Sequence, residues 1–147
     1  MLRRINMDVL IDANIILDVL LQRAPFYENS VKIVEACVKG RATGFVSAHS
    51  VTTVWYVLRH EFSIEERRKL FKLIFTWCRI ASVGQHELLS ALERDDFSDF
   101  EDCMQDECAV SINAGYIITR NKKDFVNSRI PALLPEDFIG LMESGKT

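Results

Sequence analysis

Short apolar runs alternate along the chain with longer segments in which apolar residues recur every three or four positions. The short runs predict buried strands, and the longer segments predict amphipathic helices. The predicted strands are residues 7–11, 44–47, 80–83 and 116–119, with 132–134 as a candidate fifth. Strands that alternate with helices in this way are typical of a parallel sheet with helices on both faces and right-handed crossovers.

The predicted helices are residues 14–23, 25–40, 49 or 50 to 60, 63–77, 85–92, a helix that follows the acidic stretch 95–102 and ends at 114, and 137–142. A capping box, S-I-E-E at Ser63, marks the start of the fourth helix. In the second helix the predicted buried face consists of Phe26, Val31, Ile33, Val34 and Val38. The third helix is rich in β-branched residues, so only its length favours a helix over a strand.

The composition is that of an ordinary globular protein, with 48% hydrophobic and 27% charged residues. A length of 147 residues fits one domain, and no linker divides residues 1–147. The net charge of −3 excludes a global basic field, so any nucleic acid must be bound by a local patch or through bridging metal ions. Four cysteines without C-x-x-C spacing indicate free thiols and a cytoplasmic protein, and no apolar run is long enough for a membrane span.

The first predicted strand ends in a carboxylate. Val9, Leu10 and Ile11 form an apolar run that stops at Asp12. A parallel sheet binds ligands at the carboxyl ends of its strands, so Asp12 is expected at that edge. Asn14 is positioned to cap the following helix. The alternative is that Asp12 is itself only a helix cap.

A second acidic cluster lies near residue 100. The stretch from Asp95 to Glu107 contains seven acidic residues and no Lys or Arg. In a helix Asp99, Asp102 and Asp106 would share one face, because they are spaced i, i+3 and i+7. A divalent cation would relieve the repulsion between them. The alternative is a helix start that collects acids to complement its dipole, which explains Asp106 less well.

A third polar segment, T-R-N-K-K-D-F at residues 119–125, follows the fourth predicted strand. It should therefore reach the same edge as Asp12. Carboxylate oxygens suit Mg²⁺ or Mn²⁺, ions that activate water and neutralise a phosphodiester. Arg120 and Lys122 are candidates to hold the phosphates of RNA. Standing alone, this segment would be interpreted as a solvated turn.

These motifs together resemble the PIN domain family. D-A-N at Asp12, D-F-E-D at Asp99 and I-I-T-R-N-K-K-D-F from Ile117 occur in the family's order and spacing across residues 8–138. The resemblance implies a three-layer α/β/α sandwich around a central parallel sheet of four to five strands. It also implies an Mg²⁺- or Mn²⁺-dependent ribonuclease, such as the VapC-type toxins that pair with an antitoxin protein.

The resemblance assigns residue roles, and one position departs from it. Asp12, Asp99 and Asp102 are expected to be catalytic and, with Asn121, to bind the metal. Many family nucleases carry a glutamate in the third helix where this chain has Thr53. The residues expected to contact substrate are Asn14, Thr53, Thr119, Arg120 and Lys122.

The leading hypothesis is a metal-dependent endoribonuclease that acts on RNA, as the toxin of a type II toxin–antitoxin pair. Because Thr53 and Asn121 are neutral, the alternative is a degenerate PIN-like domain that binds RNA or a protein partner without cleavage. A third hypothesis is a phosphatase with Asp12 as nucleophile, although Asn14 stands where that chemistry usually has a second Asp. The apolar third and fourth helices are a candidate homodimer interface.

Overall fold

The computed structural model describes residues 7–145. The strands in this part of the chain are β1 Asp8–Ile11, β2 Thr43–Ser47, β3 Cys78–Ala81, β4 Tyr116–Ile118 and β5 Ala132–Leu133. The α-helices are α1 Ala13–Leu20, α2 Tyr27–Val38, α3 Ala48–Val57, α4 Ile64–Ile74, α5 Gln85–Leu92, α6 Phe100–Ser111 and α7 Pro135–Ser144. Short 3-10 helices follow α3 at Leu58–His60 and β4 at Lys122–Phe125.

All five strands are parallel and form one sheet in the order β3-β2-β1-β4-β5. The chain extends the sheet from β1 to β3 on one side and then returns to build β4 and β5 on the other. The reversal makes the boundary between β1 and β4 a topological switch point, where open α/β sheets leave a crevice at the carboxyl ends of the strands.

Side chains of the central strand alternate between two cores. Val9 and Ile11 pack into the larger core beneath α1, α2, α3, α4 and α7, whereas Leu10 packs beneath α6 on the opposite face. All three side chains are at most 1% exposed. A fully buried strand explains the continuous apolar run in the sequence. The predicted three-layer α/β/α sandwich is confirmed.

Several element boundaries differ from the prediction, and two of the differences have a clear physical reason. The second helix begins at Tyr27, because Phe26 and Tyr27 both donate to the carbonyl of Arg23 and place Pro25 in a turn. Strand β3 begins two residues earlier than predicted, at Cys78, which is buried, whereas Ile80 is 39% exposed. Strand β3 lies at the edge of the sheet, where only some of its side chains are buried. Its apolar residues therefore mark its ends less clearly than those of a central strand.

Two residues of the predicted buried face in the second helix are exposed: Phe26 lies before α2, and Val38 is its last residue. The apolar residues Tyr56, Ile64 and Leu73 on α3 and α4 are also exposed. They leave the predicted dimer surface accessible in the monomer. None of the described helices has the length and hydropathy to cross a membrane.

Candidate active site

Asp12 stands at the switch point, directly after β1. Its backbone N–H donates to the carbonyl of Ile118 at 2.9 Å, so β1 and β4 remain paired up to this residue. Its carboxylate Oδ1 accepts from the N–H of Ala13 at 2.8 Å and caps α1. The expected cap Asn14 is instead in the first turn of α1, where its side-chain amide donates to Asp12 Oδ2 at 3.2 Å.

Two distant side chains fix the same carboxylate. The hydroxyl of Thr119, after β4, donates to Asp12 Oδ2 at 2.8 Å, and the amide of Gln105, in α6, donates to Oδ1 at 3.2 Å. Burial raises the pKa of Asp12, and these hydrogen bonds offset part of the effect. Asp12 is thus more than a cap, because three separate parts of the chain orient it.

Asp102 lies in the first turn of α6, within electrostatic reach of Asp12. Burial raises its pKa to about 7, with further contributions from the negative charges of Asp99, Asp12, Asp124 and Glu101. Asp99 is exposed and caps α6 by accepting from the N–H of Asp102 at 3.0 Å. The structure therefore brings Asp12, Asp99 and Asp102 to one edge, as the sequence predicts, and uses Asp99 also as a helix cap.

The raised pKa of Asp102 predicts a pH-dependent cost in the metal-free protein. Between the ordinary pKa of 3.8 and about 7 the folded state binds the proton more tightly than the unfolded chain, so stability falls as pH rises through this window. Asp102→Asn should therefore stabilise the metal-free protein at pH 7.5, with no gain near pH 4. After discounting for solvent screening we expect about 1 kcal/mol.

Urea unfolding at the two pH values, in the presence of a chelator, measures this effect. Asp95→Asn removes an exposed carboxylate from the same acidic stretch and serves as the control. Equal stability of the Asp102→Asn variant and the unmodified protein at pH 7.5 would contradict the cost that burial and the neighbouring negative charges place on the Asp102 carboxylate.

Gln105 is a site residue that the sequence analysis missed. It is 2% exposed and lies one turn beyond Asp102, and its amide also donates to the hydroxyl of Ser50 at 3.1 Å. Ser50 in turn shares a 2.7 Å hydrogen bond with Ser47 at the end of β2. The i, i+3 spacing from Asp102 was the available signal, since it places Gln105 on the same helix face.

Asp106 does not belong to the site. It is fully buried and pairs with the guanidinium of Arg94 at 2.7 Å, while its carboxylate accepts from the N–H groups of Arg129 at 2.9 Å and Ile130 at 3.2 Å. Asp99 is the cap and has an extended backbone, so it lies outside the helical spacing. Asp106 is held away from the site by Arg94 and by the backbone N–H groups before β5. Asp106 instead fixes two surface segments to α6.

The segment after β4 contains both positioning and exposed residues. Thr119 is fully buried, and its hydroxyl accepts from the N–H of Asn121 at 3.1 Å, so it positions its neighbours in this structure. Its contact with substrate stays a prediction. Arg120 donates to the buried carboxylate of Asp18 at 2.8 Å. Asn121 is half-buried and Lys122 is exposed at the start of the 3-10 helix.

On α3, the hydroxyl of Thr53 donates to the carbonyl of His49 in its own helix, at 3.4 Å. His49 lies within the field of Asp12 and Glu101, whose charges oppose the lowering of its pKa by burial. Its Nδ1 is buried and has no partner among the described residues. Where the resemblance leads one to expect a glutamate, this chain therefore has the hydroxyl of Thr53 and the nearby imidazole of His49, and no carboxylate.

The donor set suits a hard cation only if neutral oxygens supplement the acids. Within residues 7–145 no three Asp, Glu, His or Cys side chains converge closely enough to hold a metal ion. Two buried amide oxygens, Asn14 Oδ1 and Gln105 Oε1, accept no hydrogen bond within that range. Both belong to side chains whose NH2 groups donate hydrogen bonds to Asp12. Carboxylates and amide oxygens are the ligand types that Mg²⁺ and Mn²⁺ prefer.

Comparison with known proteins identifies related sequences. The PIN domain family matches residues 8–123. Ribonuclease VapC1 of Aquifex aeolicus (strain VF5) is 27% identical over 136 residues, which cover 88% of this chain and 92% of that protein.

Solved structures share the fold at low sequence identity. A toxin–antitoxin complex from Klebsiella pneumoniae contains a chain that is 18% identical with a TM-score of 0.66, covering 86% of this chain and 97% of that one. A chain of VapBC2 from Rickettsia felis, bound to a promoter DNA fragment, is 16% identical with a TM-score of 0.63, covering 87% of this chain and 98% of that one. Mycobacterium tuberculosis VapC20, a toxin that cleaves the sarcin–ricin loop, is 12% identical with a TM-score of 0.60, covering 74% of this chain and 86% of that one.

Proposed function

Because the chain belongs to the PIN domain family, we propose that it is a metal-dependent endoribonuclease with its catalytic centre at Asp12. The observation that carries this proposal is that the carboxylates of Asp12 and Asp102 lie within electrostatic reach of each other at the switch point. Burial raises the pKa of both, so their negative charges are costly without a cation. The curated relative from Aquifex aeolicus, a ribonuclease, supports the same reaction class.

Asp12 and Asp102 are the proposed carboxylate ligands of Mg²⁺ or Mn²⁺, with the amide oxygens of Gln105 and Asn14 beside them and Asp99 adding negative charge. A bound ion would activate water and neutralise the scissile phosphate. Thr119 holds Asp12 in place, and Asn121 follows it at the same edge. Lys122, exposed at the rim, is the proposed contact for a flanking phosphate.

The role of Gln105 predicts a specific loss of metal binding. Gln105→Met removes the amide that orients Asp12 and a candidate ligand oxygen, while it keeps a similar volume in the core. We expect Mn²⁺ affinity to fall about 10- to 100-fold, as for other groups that orient metal ligands. Calorimetric titration with Mn²⁺ measures the change.

The matched control is Gln85→Met, at the exposed first residue of α5. It should bind Mn²⁺ as the unmodified protein does. If Gln105→Met also retains full affinity, Gln105 has no part in the metal site.

The neutral residues Thr53 and Asn121 favour one alternative, a PIN domain that binds RNA or a protein partner without cleaving. The site lacks the acid expected in the third helix, because Thr53 stands there. The hydroxyl of Thr53 donates within its own helix. Mn²⁺ binding that is lost in Asp102→Asn favours the enzyme. Absence of Mn²⁺ binding to the unmodified protein favours the degenerate domain.

We further propose that the protein is the toxin of a toxin–antitoxin pair. The similarity to chains in the Klebsiella pneumoniae and Rickettsia felis structures supports an antitoxin partner. Induced expression of this chain alone should arrest bacterial growth, and Asp12→Asn should relieve the arrest. Unimpaired growth with soluble, folded protein present would argue against a toxin.

A further inference from the structure

We propose that a cleft beside the active site binds one nucleobase of the RNA substrate, a proposal that rests on the proposed ribonuclease function. The cleft lies between the start of α2 and the start of α7, and its walls include Phe26, Asn29, Ser30, Arg120 and Glu136. We call it the Phe26 cleft. Its volume is about 230 Å³, below the roughly 300–1,000 Å³ of sites that enclose drug-sized ligands. A small flat group therefore fits it better than a peptide segment.

A stacking surface forms one side of the Phe26 cleft. The guanidinium of Arg120 lies 4.4 Å from the centre of the Phe26 ring, which is 39% exposed. Arg120 is held there by its 2.8 Å hydrogen bond to the fully buried Asp18. Bases of single-stranded RNA stack on aromatic rings and on guanidinium planes, and a surface fixed in advance loses little freedom on binding.

Polar groups on the other walls suit the edge of a base. The amide of Asn29 donates to the Glu136 carboxylate at 3.1 Å across the rim. The hydroxyl of Ser30 is buried, with no hydrogen-bond partner among the described residues, which is uncommon for a buried polar atom. The carboxylate disfavours a phosphate and favours N–H donors, so bases with an exocyclic amino group should bind best.

The position of Arg120 connects this cleft with the catalytic edge. Arg120 follows Thr119, whose hydroxyl bonds Asp12 at 2.8 Å. Its positive charge also lowers the pKa of Asp12, so its guanidinium is within electrostatic reach of that carboxylate. A base in the Phe26 cleft would thus belong to a nucleotide close to the scissile phosphate, and would select where the RNA is cut.

Binding of short single-stranded oligonucleotides in EDTA, measured by fluorescence anisotropy, tests the proposal without cleavage. An abasic nucleotide is moved along the oligonucleotide, and each version is compared for the unmodified protein and Phe26→Leu. At one abasic position the unmodified protein should lose affinity about 10-fold, within the range of base–aromatic stacking. Phe26→Leu should bind the intact oligonucleotide about 10-fold more weakly and be insensitive to the abasic position.

Two controls isolate stacking at this site. Tyr56→Leu removes an exposed aromatic ring that also carries a guanidinium, from Arg59 at 3.6 Å, near the far end of α3, and should bind as the unmodified protein does. Phe26→Tyr keeps the ring and should retain affinity. If Phe26→Leu does not fold, Glu136→Gln, at an exposed residue, provides the test through its loss of preference for amino-bearing bases over uracil.

The outcomes separate this proposal from the proposed nuclease function. Metal-dependent cleavage together with equal abasic sensitivity of the unmodified protein and Phe26→Leu at every position would overturn the base site and leave the nuclease intact. Position-specific binding without cleavage would support the base site and refute the nuclease. A Glu136→Gln variant with unchanged base preference would likewise overturn recognition by the Phe26 cleft.

Discussion

Asp12→Asn is expected to slow RNA cleavage by about 10²- to 10³-fold, the range found when one group that stabilises transition-state charge is removed. The substitution preserves the shape of the side chain but takes away the negative charge that a metal ion requires. Cleavage of single-stranded RNA in Mn²⁺ measures the loss. Burial raises the pKa of Asp12, so a neutral side chain removes a desolvation cost. The new amide group would, however, face hydrogen-bond donors that need an acceptor, so the fold of the variant has to be checked.

Asp95→Asn serves as the matched control, because Asp95 is an exposed member of the acidic stretch. It should cleave RNA at the unmodified rate. Circular dichroism of both variants establishes that they are folded. If folded Asp12→Asn cleaves as fast as the unmodified protein, Asp12 is not a catalytic residue and the reaction belongs to another site.

The second large effect concerns stability, because Asp106 is the buried centre of an ion-pair network. Asp106→Asn should lower the free energy of unfolding by about 3–5 kcal/mol, as expected when one partner of a buried ion pair is removed. Arg94, whose side chain is only 9% exposed, would lose its carboxylate partner at 2.7 Å and keep the buried Glu107 at 2.8 Å. The new amide group would also face the N–H groups of Arg129 and Ile130, which need an acceptor.

Asp96→Asn removes another carboxylate bonded to the same Arg94, but from an exposed position. It should have a much smaller effect, since solvent screens exposed ion pairs. Chemical unfolding of the two variants compares them directly. Equal losses of stability would mean that burial does not govern the strength of this network.

The fold was predictable from local signals. The run Val9–Ile11 is apolar at consecutive positions, which is typical of a strand buried on both faces in a parallel sheet. The capping box at Ser63 forms as predicted, with the Glu66 carboxylate accepting a hydrogen bond from the N–H of Ser63. The position of Asp12 at the carboxyl edge follows from the same reasoning, because the strand that precedes it determines where it lies.

The partners of each acid were not predictable, because they come from distant parts of the chain. Spacing along a helix favoured Asp106 as a site residue, yet Arg94 and the loop before β5 bind it away from the edge. Gln105 carries no charge, so the sequence did not indicate it as a site residue, although it donates a hydrogen bond to Asp12, 93 positions away in the sequence. Only the packing of α6 against β1 decides which of these two residues faces the site.

Cleavage of RNA in the presence of Mn²⁺ tests the central claim, that Asp12 and Asp102 form a metal-dependent ribonuclease centre. Purified protein would be incubated with structured and single-stranded RNA in Mn²⁺ or in EDTA, beside Asp102→Asn, and the fragment ends mapped. We predict defined fragments with Mn²⁺, none with EDTA, and none with the variant. Cleavage that persists in EDTA, or a variant that produces the same fragments at the same rate, would contradict it.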